Sequence, residues 1–423
     1  MSSGASVAPE EADGPGVVVA APQPATISDR TAIGTSALQI LRISRHLPRR
    51  RRTGAAAPKV IPFDRPHGSL KNRGAPVADE EGRVFLRGIS AETYGLSEFR
   101  RRQRTAPRVR RAGTVTDDAT VGHSGDSDEG LSRTWWMLGP GDEPFLTQTL
   151  QVHFVELKPG GSNHGHGHQN EATFYILEGS GYEIHDGKRY DWSKDDFVIV
   201  HTDSVHRHYN ASKTERALAL VIKAKATWMA LGLIQQGRSK PFEDGASFEP
   251  ARDWSQLWTP GATDKKKVVK KNDTKWETTR DGRVRVISSP QRSDVRTTSV
   301  DVYEQELVPG ARSAKHWHMA DEVAYVLAGS GESEQWDVEA EIGERYQARI
   351  AIRPSRWHFS AGDLVYVPQN TVHRYSSDGS GPLRLLVAQN RLFKLLGYDS
   401  IVYLEDAREF EREVMARSSA PSR

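Results

Sequence analysis

The sequence predicts a mainly β protein in which one strand-rich unit occurs twice. Three observations carry that prediction. The segment Leu157-Lys-Pro-Gly160 reappears as Leu307-Val-Pro-Gly310, and each copy meets a Gly-Ser-Gly turn 19 residues later, at Gly179 and Gly329. With no gap between these markers, His166 falls on His316, His168 on His318 and Tyr175 on Tyr325. Further on, DDFVIVHTDSVHR at 195–207 overlays GDLVYVPQNTVHR at 362–374 and pairs His206 with His373. The apolar positions of 218–232 match those of 383–397 as well. A duplication on this scale means a repeated structural unit. Runs such as 173–177 and 197–200, aromatic and aliphatic between turn residues, read as its strands.

The histidines stand at strand spacing. Residues two apart on a strand point to one face, so His166 and His168 project together, and His206 from a neighbouring strand completes a facial set of three nitrogens. Imidazole suits Zn, Cu, Fe and Ni, and three ligands leave coordination positions open.

The second copy reads G-x5-H-x-H-x3-E-x6-G at Gly310, His316, His318, Glu322 and Gly329, then G-x5-P-x-N-x2-H at Gly362, Pro368, Asn370 and His373. This resembles the two-part signature of the cupin superfamily, with Asn370 where a second glycine usually stands. The resemblance implies two cupin domains, each a small antiparallel β-barrel or jelly roll. It also implies metal ligands: His316, His318, Glu322 and His373 in the second barrel, and His166, His168 and His206 in the first. The first copy departs from the pattern at Ala172, the counterpart of Glu322, with Glu171 one place earlier. A slip of one residue turns a side chain to the opposite face of a strand, so Glu171 is not expected to substitute. A register through His164, His166 and Glu171 would use that glutamate but breaks the overlay, which leaves His164 outside the site. Asp195, His201 and Asp203 replace the motif's glycine, proline and glycine.

The 423 residues allow two or three domains. Fifty-eight Lys and Arg against 55 Asp and Glu leave a net charge of +3, too weak for a nucleic-acid footprint. The absence of cysteine excludes disulfides, thiolate metal sites and a cysteine nucleophile. No apolar run of membrane-spanning length and no signal-peptide pattern stands in the sequence, so a cytoplasmic protein with no membrane partner is expected.

In chain order, residues 1–130 read as a mostly disordered, basic N-terminal arm, with a strand at 84–86 and a short helix at 91–99. Its clusters Arg49–Arg52 and Arg100–Arg111 read as solvated, because no aromatics interleave for base stacking. Residues 131–236 form the first barrel, with Trp135 and Trp136 as packing residues. Residues 237–297 connect the barrels and carry the basic run KKKVVKK at 265–271, read as a solvated loop. Residues 298–400 form the second barrel, with an extra hairpin at 337–354, and 401–423 supply a charged helix and tail.

A metal on three neutral histidines keeps its full charge and can accept a chelating anionic substrate. Sites of this kind resemble those of gentisate 1,2-dioxygenase and its salicylate and hydroxynaphthoate relatives, bicupins that open aromatic rings with Fe(II). That resemblance implies Fe(II), with Mn(II) or another divalent ion as the alternative, an aromatic acid and O2 as substrates, and a homo-oligomer. Gln169, Asn170, His201 and His208 are the candidate substrate contacts, with Gln389 their counterpart in the second barrel. Two other readings remain: a Mn-dependent enzyme resembling oxalate decarboxylase, whose family keeps the glutamate in both sites, and a non-catalytic binding bicupin.

Overall fold

A computed structural model of the chain describes residues 62–63, 96–112, 131–138, 149–202, 204–232, 265–295, 297–342 and 346–418. The rest of the expected arm, with the strand at 84–86 and the Arg49–Arg52 cluster, lies outside them. So do residues 233–264, the end of the first-barrel segment and the start of the connection.

Each repeat folds into two sheets, antiparallel except where Pro62–Phe63 joins Tyr346–Ala351 of the second barrel in parallel. In the first barrel a six-stranded sheet runs in the order Val268–Val269, Phe197–Val200, Ala172–Glu178, Ala217–Lys223, Gln151–Leu157, Ser132–Leu138. It faces a four-stranded sheet ordered His166–His168, Ser204–Asn210, Ser180–His185, Lys188–Ser193. The second barrel repeats the plan with two seven-stranded sheets. Its Ser330–Ile342 and Tyr346–Ala351 pair as a long hairpin where the extra residues of this repeat fall.

Period-2 alternation assigns each face. Ala172, Phe174 and Ile176 point into the first barrel with Val198, Val221 and Trp192. Tyr175, Phe197 and Leu220 point the other way, into one apolar core shared with Val300, Val323, Tyr325 and Leu386 of the second barrel. The large sheets are therefore buried on both faces, which is why their strands read as continuous apolar runs.

The inter-barrel contact repeats about a pseudo-twofold. Glu171 accepts hydrogen bonds from the amides and hydroxyls of Thr298 and Ser299, at 2.7–3.1 Å. Its counterpart Asp321 accepts from the amide and hydroxyl of Thr149, the residue equivalent to Ser299. Tyr175 donates to Glu304 at 2.9 Å, whereas at the symmetric place Tyr325 meets Phe154 edge-on at 6.0 Å.

Departures from the glycine motif fall where the backbone demands them. Gly362 has φ +88°, and its counterpart Asp195 has φ 69°; Asn370 has φ 58°. Asp and Asn are the side chains that best tolerate this region, and Asn370 also accepts a hydrogen bond from Trp317 Nε1 at 2.8 Å.

Several expectations are corrected. The segment 96–112 is not a solvated part of the arm. Leu96–Thr105 is helical and Val109–Arg110 adds a strand to the second barrel. Arg104 meets Asp337 and Glu339, Arg111 pairs with Asp363 at 2.7 Å, and Arg108 is buried. The basic run at 265–271 is likewise not a loop. Val268–Val269 pairs with Phe197–Val198 of the first barrel, Lys270 reaches Asp196 at 2.9 Å, and Lys267 is buried. The connection also contributes Glu277–Thr279 and Gly282–Ser288 to the second barrel's sheet. In each case acidic partners on a barrel that sequence distance conceals absorb the charge. Among the described residues no helix is long and apolar enough to cross a membrane.

Candidate metal centres

In the first barrel the strands His166–His168 and Ser204–Asn210 pair antiparallel, which sets His166 opposite His206 and His168 opposite Ser204. Their inward alternation brings the three imidazoles together, with ring centroids 4.6, 4.9 and 5.4 Å apart. One nitrogen from each lies within 4.8 Å of the others. Three points so spaced lie within about 3 Å of a common centre, close enough for bonds of about 2.0–2.1 Å after small side-chain shifts. The His166 Nδ1–H donates to the His164 carbonyl at 2.8 Å, which fixes the tautomer and turns Nε2 to the centre. His164 itself is exposed and lies outside the cluster of candidate ligands. Burial lowers the pKa of all three histidines, His168 to about 3, so they are neutral and able to ligate. The donor set suits a divalent metal.

Glu171 takes no part, because its odd position turns it to the other barrel. Ala172 faces the cavity without a donor. That cavity is lined by Thr134, His153, Asn163 and Lys223 besides the three histidines, with Val155, Phe174 and Val221 as apolar wall. Among the described residues no Asp or Glu lines it. Lys223 is 3% exposed and stands 5.8 Å from the Trp136 ring centroid. Burial, with Lys225 nearby, brings its pKa down to about 7.

The second centre is more enclosed. His316 pairs with His373 and His318 with Thr371. The ligand atoms of His316, His318, Glu322 and His373 lie within 4.8 Å of one another, and all four residues are buried. Glu322 stands 3.3 Å from His373 Nε2 and 3.4 Å from His318 Nε2. Tyr375 Oη and Gln389 Nε2 each donate to it at 2.8 Å. Burial opposes its ionisation, but His373 and His318 hold its pKa well below the usual range. Asp281 Oδ1 lies 3.2 Å from His316 Nδ1, an ion-pair contact rather than an aligned hydrogen bond, and Tyr403 donates to Asp281 at 2.7 Å. Although burial disfavours the charged ring, Asp281 and Glu322 raise the His316 pKa.

The expected substrate contacts stand at different places around the first-barrel cavity. Gln169, Asn170, His201 and His208 do not line the first cavity. Asn170 is buried and donates to the Glu171 carbonyl. His201 Nδ1 lies 3.1 Å from Lys267 Nζ. His208 shares the face of His206, with its ring centroid 5.3 Å from that of His206, and it lies against Phe174, at 4.5 Å, and beside the buried Glu183, at 3.7 Å. Gln389 does adjoin its centre. Its counterpart is Lys223, not Ala224: Ile222 pairs with Thr173 as Ala388 pairs with Val323, so the overlay of 218–232 on 383–397 is off by one residue. Asp281 and Tyr403 come from the connection and the tail, where no motif marks them.

Two antiparallel barrels, each with an inward His-x-His and a third histidine, define a bicupin. A family model described as "Cupin domain" matches residues 153–223 and 303–389, so the protein carries two cupin domains in one chain. The fold is similar to that of salicylate 1,2-dioxygenase from Pseudoaminobacter salicylatoxidans, solved as adducts with gentisate. The identity is 13% over 77% of this chain and 98% of that one, with a TM-score of 0.51. Oxalate decarboxylase from Bacillus subtilis matches 71% of this chain and 80% of its own at 16% identity and a TM-score of 0.45. No curated protein sequence matches. At these identities the likeness is one of fold.

Proposed function

We propose that the protein is an Fe(II)-dependent dioxygenase that opens the ring of a hydroxylated aromatic acid of the gentisate or salicylate type, at the first-barrel centre. The observation that supports this most is the asymmetry of the two centres. One presents three neutral histidines to a cavity with no acid among its described lining residues; the other surrounds its histidines with Glu322, Asp281, Tyr375 and Gln389. Structural metal sites are closed by protein ligands, and catalytic ones keep positions open.

Fe(II) held by His166, His168 and His206 would supply the redox chemistry that lets dioxygen react with an electron-rich ring. The chain's own part is positional. The His164 carbonyl orients His166. Phe174, Val155 and Val221 offer an apolar wall to a ring and exclude water, while Thr134, Asn163 and His153 offer hydrogen bonds at its edge. Holding the reactants side by side makes their reaction effectively unimolecular. The second barrel holds its metal for stability. Exposed Leu395, Leu396 and Tyr398 are in keeping with a homo-oligomer, and the cysteine-free composition with a cytoplasmic enzyme.

The test is oxygen uptake by the iron-loaded protein over a panel of hydroxybenzoates and hydroxynaphthoates. One O2 per ring, with both atoms in the ring-opened product, is expected. No uptake with any of them would leave a non-catalytic binding bicupin.

A further inference from the structure

We propose that Lys223 is the residue that selects an anionic substrate in the first barrel, by holding its carboxylate in the space that Ala172 leaves open. The inference rests on the reading above and extends it to the chemistry of recognition. It starts from the second barrel, which shows where a carboxylate sits in this architecture. There Glu322 and Gln389 are direct partners on adjacent strands, and Gln389 Nε2 donates to the carboxylate at 2.8 Å. The first barrel alters both members of that pair. The carboxylate is gone, since Ala172 replaces Glu322, and the amide donor has become the amine of Lys223.

The register makes the correspondence specific. Lys223 pairs with Gln151 as Gln389 pairs with Asp301, and Ile222 pairs with Thr173 as Ala388 pairs with Val323. One step further along, Lys223 stands beside Ala172. Both line the cavity at the three histidines. A ligand carboxylate in the gap would meet the amine on one side and the metal centre on the other. It would occupy the place that a protein side chain holds in the sister site. Position carries this argument; ammonium and amine both donate hydrogen bonds to a carboxylate. Among the described residues that line the cavity, none is an acid that would repel such a ligand.

The experiment uses full-length iron-loaded protein under anaerobic conditions, with titration calorimetry of salicylate, salicylamide and acetate. Salicylamide keeps the ring and the hydroxyl but lacks the charge. Wild type should bind salicylate well above salicylamide. Lys223→Met should weaken salicylate by roughly ten- to a hundredfold, the scale of one charge-assisted hydrogen bond. It should leave salicylamide and the iron content unchanged, and Lys223→Arg should restore part of the preference. Equal weakening of both ligands, or an unchanged salicylate affinity, would overturn the proposal. Acetate separates the two readings. If no aromatic acid binds wild type but acetate does, and Lys223→Met abolishes it, the ring substrate is wrong and Lys223 is right. If no carboxylate binds at all, both fall.

Discussion

Glu171 of the first barrel is hydrogen-bonded to Ser299 of the second, accepting from its amide at 3.1 Å and its hydroxyl at 2.9 Å. The glutamate next to the ligand motif is thus an interface residue, and its pseudo-symmetric counterpart Asp321 does the same for Thr149.

Glu171→Ala should therefore destabilise the fold while sparing the metal. Four hydrogen bonds to a buried carboxyl are lost, and an expected cost of about 2–4 kcal/mol follows from the donors left unpaired. Urea unfolding and elemental analysis check it. Loss of one metal with stability intact would return Glu171 to the site.

His166→Ala should remove about one metal per chain, and His164→Ala should remove none. The geometry favours this because His164 lies outside the cluster of candidate ligands and alanine keeps its carbonyl. Elemental analysis of the two variants after identical iron loading decides it.

Glu322→Ala should release the second metal and lower stability, yet leave much of the turnover. Tyr375 and Gln389 would lose a common acceptor, and the buried His316–Asp281 contact would lose a neighbouring charge. Oxygen uptake per iron retained in the first barrel is the measurement. Complete loss of turnover would place the chemistry in the second barrel.

Metal-free protein should lose stability as the pH falls from about 6.5 toward 3. Burial holds His168, His185 and His208 down to about 3, whereas in the unfolded chain they titrate near 6.5. In this window the unfolded state binds more protons, so acid favours unfolding. The slope is about 1.4 kcal/mol per pH unit for each group. Urea midpoints at pH 7.5, 6 and 5 should decline, and His208→Phe should flatten the decline.

The duplicated barrel, its strand faces and the gathering of the seven candidate ligands into two clusters were legible in the sequence. Strand alternation and the spacing of His166, His168, Glu322 and their partners are local properties of the chain, and the repeat states them twice. The opposite faces of Glu171 and Ala172 follow from the same period of two. What the cavity contains was decided only in three dimensions. Lys223 reaches the Gln389 position because the loop before its strand shifts the register by one residue, a displacement the apolar pattern of that strand does not reveal. His201 carries suitable chemistry yet meets Lys267, and His208 adjoins His206 but packs against Phe174 and Glu183, contacts that the sequence does not mark. Asp281 and Tyr403 reach His316 from segments remote in sequence, and Arg104, Arg111 and Lys270 find their acids on barrel surfaces. Local order is written in neighbouring residues. The partners of a buried charge are set by which strands the barrels bring together.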